Sequence, residues 1–148
     1  MRPFQFRLAT LLRLRESVRN ERRMQLTDAL RVESVLAEQA AELAREMGAA
    51  RKAQVAPAGV VEVDRLIEAQ RYELTLQMEQ RRLEQQQATV ATEVAQRRAA
   101  LVTADQDVRS LEKLRESQME RWRADAERQV MKEMDEVASR AYALGGRL

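Results

Sequence analysis

Apolar residues recur along the first third of the chain in alternating steps of four and three. One row takes every seventh residue: Leu8, Arg15, Arg22, Ala29, Leu36, Leu43, Ala50. A second row, Phe4, Leu11, Val18, Gln25, Val32, Gln39, interleaves with it. Nine of these thirteen positions are apolar. Such a pattern is a coiled-coil seam of about six heptads. Arg15, Arg22, Gln25 and Gln39 interrupt it. Polar seam positions lower stability but fix register, and arginine stems lie along a seam with their heads in water.

The pattern fades after Met47-Gly48. Val55-Ala56-Pro57-Ala58-Gly59-Val60 is the one strong break, because proline disfavours helix at the preceding residue and glycine punctuates. Periodicity resumes near Glu62 and continues through Leu66, Ala69, Leu76, Leu83, Val90, Val94, Leu101, Ala104, Val108 and Leu111, with a stop at Gly145-Gly146. The expected organisation is a single all-α coiled-coil domain over residues 1–148. Helix 1 covers about 3–53, a turn about 54–61, and helix 2 about 62–144.

A short connection makes the two helices antiparallel neighbours. Centring the turn near Pro57 pairs residues whose numbers sum to about 115. Leu43 then falls near Tyr72, Leu11 near Ala104 and Phe4 near Leu111. Helix 1 runs out there, so residues from about 113 onward form an overhang. The overhang carries Trp122, then Val130, Met134, Val137, Ala141 and Leu144 at steps of four, three, four and three, one residue out of phase with the seam that ends at Leu111. An uncovered helix is ordinarily polar all round, so this stripe predicts a cover. A docked partner and a second copy of the chain both supply one.

Composition narrows the chemistry. Charged residues make up 34% and aromatics 3%, with no Cys and no His. The commonest general base and metal ligand and all thiol chemistry are therefore missing, and no glycine-rich phosphate loop is present. An enzyme is not expected, nor a cofactor or metal. Pairs such as Asp105/Arg109, Glu93/Arg97 and Glu136/Arg140 read as surface support of the helix. The net charge of +2 argues against a nucleic-acid binder, and Arg81-Arg82 and Arg97-Arg98 lack aromatics for stacking. Residues 1–23 hold seven Arg against two Glu. That basic start fits an anionic surface, an acidic partner or a solvated helix face. No apolar run approaches the roughly 18 residues of a membrane span, and arginines interrupt any signal-like stretch, so residue 1 is read as the start of the mature protein.

Both ends of the chain resemble the flagellar FliJ family. One match is Phe4-Gln5-Phe6-Arg7-Leu8-Ala9-Thr10-Leu11-Leu12-Arg13-Leu14-Arg15-Glu16. The other is Leu111-Glu112-Lys113-Leu114-Arg115-Glu116, followed by Met134-Asp135-Glu136-Val137-Ala138. The resemblance implies a soluble two-helix antiparallel coiled coil similar to the central stalk of rotary ATP synthases. It implies three partners: the hexameric export ATPase, the cytoplasmic domain of the export gate, and export chaperones. Such a protein sits in the cytoplasm at the inner face of the membrane, held there only through the export apparatus. A virulence-type secretion homologue (YscO-like) carries similar features.

Residues are assigned on this basis. Phe6, Trp122, Val130, Met134, Asp135, Glu136 and Val137 are the expected ATPase-ring contacts. Tyr72 and Leu76 are the expected gate contacts by the family match, and Leu43 joins them through the register. Phe4, Leu8, Leu11, Val18, Leu36, Leu83, Val90, Leu101 and Leu111 are the expected seam. Light scattering at micromolar concentration distinguishes the two covers for the overhang. A monomer is expected if the stripe serves another protein, and a stable dimer if two overhangs pair.

Overall fold

The computed structural model describes residues 2–54 and 62–146. Among these there are two helices and no strand: α1, Ala9–Gln54, and α2, Val63–Gly145. They pack against each other as expected for a hairpin. The expected turn at Pro57 and Gly59 lies outside the described residues. The packing divides the chain into two compact units. Unit 1 is Met1–Arg19 with Thr103–Leu148, and unit 2 is Asn20–Val102.

In unit 2, Leu36, Leu43, Leu76 and Leu83 form a buried cluster, with Met47, Ala50 and Val90 packed against it. Ala29 and Val94 are buried further along the same unit. In unit 1 the buried residues are Leu12, Ala104 and Val108. Along α2 most covered positions follow a heptad, although Gln80 and Arg115 on its second row are exposed. Residues 69, 76, 83, 90, 97, 104, 111 and 118 form one row, and 73, 87, 94, 101, 108 and 122 the other. Val90, Leu101 and Leu111 are half-buried members of these rows.

In α1 the central row from Ala29 through Leu36 and Leu43 to Ala50 is covered. Its companion row is Leu12, Arg19, Leu26, Ala40 and Met47, one residue beyond the row that the sequence pattern selects. Leu12 is 6% exposed while Leu11 is 36% exposed, and Leu8 and Val32 are exposed as well. Leu8 and Leu11 therefore do not line the seam. A central heptad row can be flanked on either side, and adjacent leucines at 11 and 12 satisfy both choices. The facing helix selects between them. Val18, expected in the seam, is half-buried.

The start of α1 also differs from the expectation near residue 3. Residues 2–6 are non-helical, and Ala9 N–H donates to the Phe6 carbonyl at 3.1 Å where the helix begins. Arg2 precedes Pro3 and so avoids helical backbone. Within a helix Phe4 and Phe6 would point about 200° apart. Outside it both are half-buried.

Polar groups cross the seam at defined points. In unit 2, Arg97 occupies a seam position, where Nη1–H donates to the Gln25 carbonyl and Nε–H to Glu93 Oε1 at 2.7 Å. Gln54 Nε2–H donates to Glu73 at 3.4 Å. Rising numbers in α1 meet falling numbers in α2, so this unit is antiparallel. Gln25 with Arg97 sums to 122, and Gln54 with Glu73 to 127, against the expected 115. In unit 1, Arg15 pairs with Asp107 at 3.6 Å, again summing to 122. The register is displaced by a heptad or more. A seven-residue slip leaves the same faces in contact, so the apolar pattern cannot select among heptads.

Leu83→Ala or Leu76→Ala is expected to cost about 2–4 kcal/mol through lost burial and a cavity. Leu11→Ala should cost less than about 1 kcal/mol. Urea unfolding followed by far-UV circular dichroism measures all three. Equal losses would contradict the assignment of Leu12 rather than Leu11 to the core.

Candidate partner-docking surface

In unit 1, α2 continues past the reach of α1, and residues 2–6 lie against it. The Trp122 Nε1–H donates to the Arg2 carbonyl at 3.3 Å. The Phe4 and Trp122 rings stand 6.2 Å apart at 55°, the tilted geometry that aromatic quadrupoles favour. Phe4 thus meets Trp122, a residue eleven positions beyond the expected Leu111. Met119, Trp122 and Ala126 are half-buried. The uncovered part of α2 accordingly begins at Glu127, later than the expected 113, and every described residue from there to Gly146 is exposed.

This exposed end carries the apolar stripe. Val130, Met134, Val137, Ala141 and Leu144 fall within an arc of about 80° at 3.6 residues per turn. Val137 is 65% exposed, and its large apolar neighbours on the stripe are similarly open. Glu136 pairs with Arg140 at 3.8 Å on the flank. Asp135 is exposed beside it. Val130, Met134, Asp135, Glu136 and Val137 therefore share one accessible helical end. Trp122 is engaged within the unit, and Phe6 is half-buried.

The expected gate residues separate in unit 2. Leu43 and Leu76 are only 8% and 6% exposed, inside the leucine cluster, so neither offers a surface. The hydrophobic cluster claims them because both sit on central heptad rows. Tyr72 is 50% exposed and available. Sequence reasoning missed a row of exposed apolar side chains on the face of α2 turned away from Tyr72: Val63, Ile67, Leu74 and Met78. Their signal was an apolar row outside the seam phase, with Ile67 and Leu74 seven residues apart. Open grooves of about 520 and 600 Å³ also flank the seam of this unit, with Leu43 and Leu83 in one and Leu36 and Val90 in the other.

The surface offers apolar contact flanked by charge, which suits binding to another helix. The family model described as Flagellar FliJ protein matches residues 4–147. The chain belongs to the FliJ family. FliJ-family proteins are non-enzymatic components of the flagellar export apparatus. No curated protein and no solved structure matches the chain. Among the described residues of this FliJ-family chain, no helix is long and apolar enough to cross a membrane.

The exposure of the stripe predicts its oxidation chemistry. Met131 and Met134 are exposed, whereas Met47 packs against the leucine cluster. Dilute peroxide should convert Met131 and Met134 to sulfoxide several times faster than Met47. Peptide mass spectrometry over a time course reads the order, and equal rates would contradict an uncovered stripe.

Proposed function

We propose that this chain is a stalk-like component of the flagellar export apparatus that docks the hexameric export ATPase through the exposed end of unit 1. The observation that carries the proposal is the apolar stripe Val130, Met134, Val137, Ala141 and Leu144, which the described residues leave uncovered. A helix with one apolar face buries it against a groove or ring of matching chemistry. Family membership supplies the setting in which such a partner exists. Asp135 and Glu136 lie about 140° and 120° to either side of the stripe's centre, so they meet basic groups only on a partner that wraps beyond the stripe.

In unit 2, the region near the expected turn meets the cytoplasmic domain of the export gate and the export chaperones. Tyr72 is the available residue of the three expected there, while Leu43 and Leu76 hold the unit together. The protein works at the cytoplasmic face of the cell membrane, held there by the apparatus. The family match, described as flagellar, favours this setting over a virulence-type secretion system.

Val137→Glu places a charge in the centre of the stripe at an exposed site. It should weaken binding to the matching export ATPase about tenfold or more, with no loss of melting temperature. Binding is read by interferometry, and ring assembly by ATPase turnover. If the unmodified chain alters neither the oligomerisation nor the turnover of the ATPase, the proposal fails.

A further inference from the structure

Residues 2–6 lie outside the helix and meet α2 through the Arg2 carbonyl and the Phe4 ring, both on Trp122. We infer that they form a strap that closes over Trp122 and lifts when a partner takes the apolar face of α2. The inference rests on the docking reading above and adds a means of regulating it.

Three observations carry it. The first is continuity. Met119, Trp122 and Ala126 lead into Val130 at steps of three, four and four. With the strap lifted, the apolar face runs unbroken from Met119 to Leu144 within an arc of about 120°. The second is the thinness of the closure. It includes one N–H···O contact at 3.3 Å between exposed groups and one tilted ring contact at 6.2 Å. Among the described residues, neither Arg2 nor Arg7 forms an ion pair. Water competes for such a hydrogen bond, so opening is readily accessible. The third is the chemistry of the seat. Trp122 presents an indole N–H beside an aromatic face, and the strap fills both with a carbonyl and a phenyl ring. An incoming partner segment replaces the strap by offering an apolar side chain and a backbone carbonyl in the same places.

A closed strap taxes partner binding by the fraction of molecules that are closed. Phe4→Ala removes the ring contact and so raises the open fraction. Trp122 is the sole tryptophan, so its fluorescence reports the strap directly. In the free chain, Phe4→Ala should raise acrylamide quenching of Trp122 about twofold with unchanged helicity, and Phe4→Leu should fall between. Phe4→Ala should also bind the matching export ATPase about fivefold more tightly than the unmodified chain. Unchanged quenching would overturn the strap. Altered quenching with equal or weaker ATPase binding would overturn its competition with the partner. Altered quenching with no binding by either chain would overturn the ATPase assignment and leave the strap standing.

Discussion

The structure depends on a seam one or two side chains wide. The buried residues that hold it are leucine, alanine and valine, and among the described residues no polar or charged residue is buried with them. Each buried leucine contributes about 1.5–3 kcal/mol relative to exposure. Two helices that share so narrow a contact leave most of their surface in water. The chain meets this with charge. Ion pairs run mainly along single helices at spacings of three and four, as in Arg45–Glu42 at 2.7 Å and Arg109–Asp105 at 3.0 Å. Exposed pairs of this kind add little stability, but they keep the outer faces helical and hydrated.

A seam of repeating heptads does not specify its own register, because each seven-residue slip restores the same apolar contacts. Polar groups at seam positions break that degeneracy. Arg97 reaching the Gln25 carbonyl does so in unit 2, whereas in unit 1 Arg15 meets Asp107 at the exposed rim of the seam. In unit 1 Arg19 carries a buried Nε with no acceptor among the described residues. Of the residues that spoil the apolar pattern in α1, Gln25 is the one whose backbone is tied across the seam by an arginine.

Sequence alone reveals the elements of this fold more readily than their pairing. The two helices, the phase of α2 and the apolar stripe at its end all follow from periodicity, which local sequence carries. The pairing register and the choice of Leu12 over Leu11 depend on the facing helix, whereas the burial of Leu43 and Leu76 follows from their heptad rows. The non-helical run at residues 2–6 was hidden because Phe4 and Leu8 fit the heptad whether or not the backbone is helical. Its contact with Trp122 joins residues 118 positions apart, which no local pattern encodes. The exposed row Val63, Ile67, Leu74 and Met78 is apolar in the sequence but lies outside the seam phase.

Because α1 and residues 2–6 reach no further along α2 than about Ala126, an apolar face is left uncovered at that end, and membership of the FliJ family sets such a face among export proteins. The most direct test is hydrogen–deuterium exchange of the full chain with and without the matching export ATPase. The account predicts that ATPase slows exchange most strongly over residues 127–146. Protection confined to unit 2, or none anywhere, would contradict docking through the exposed end of α2.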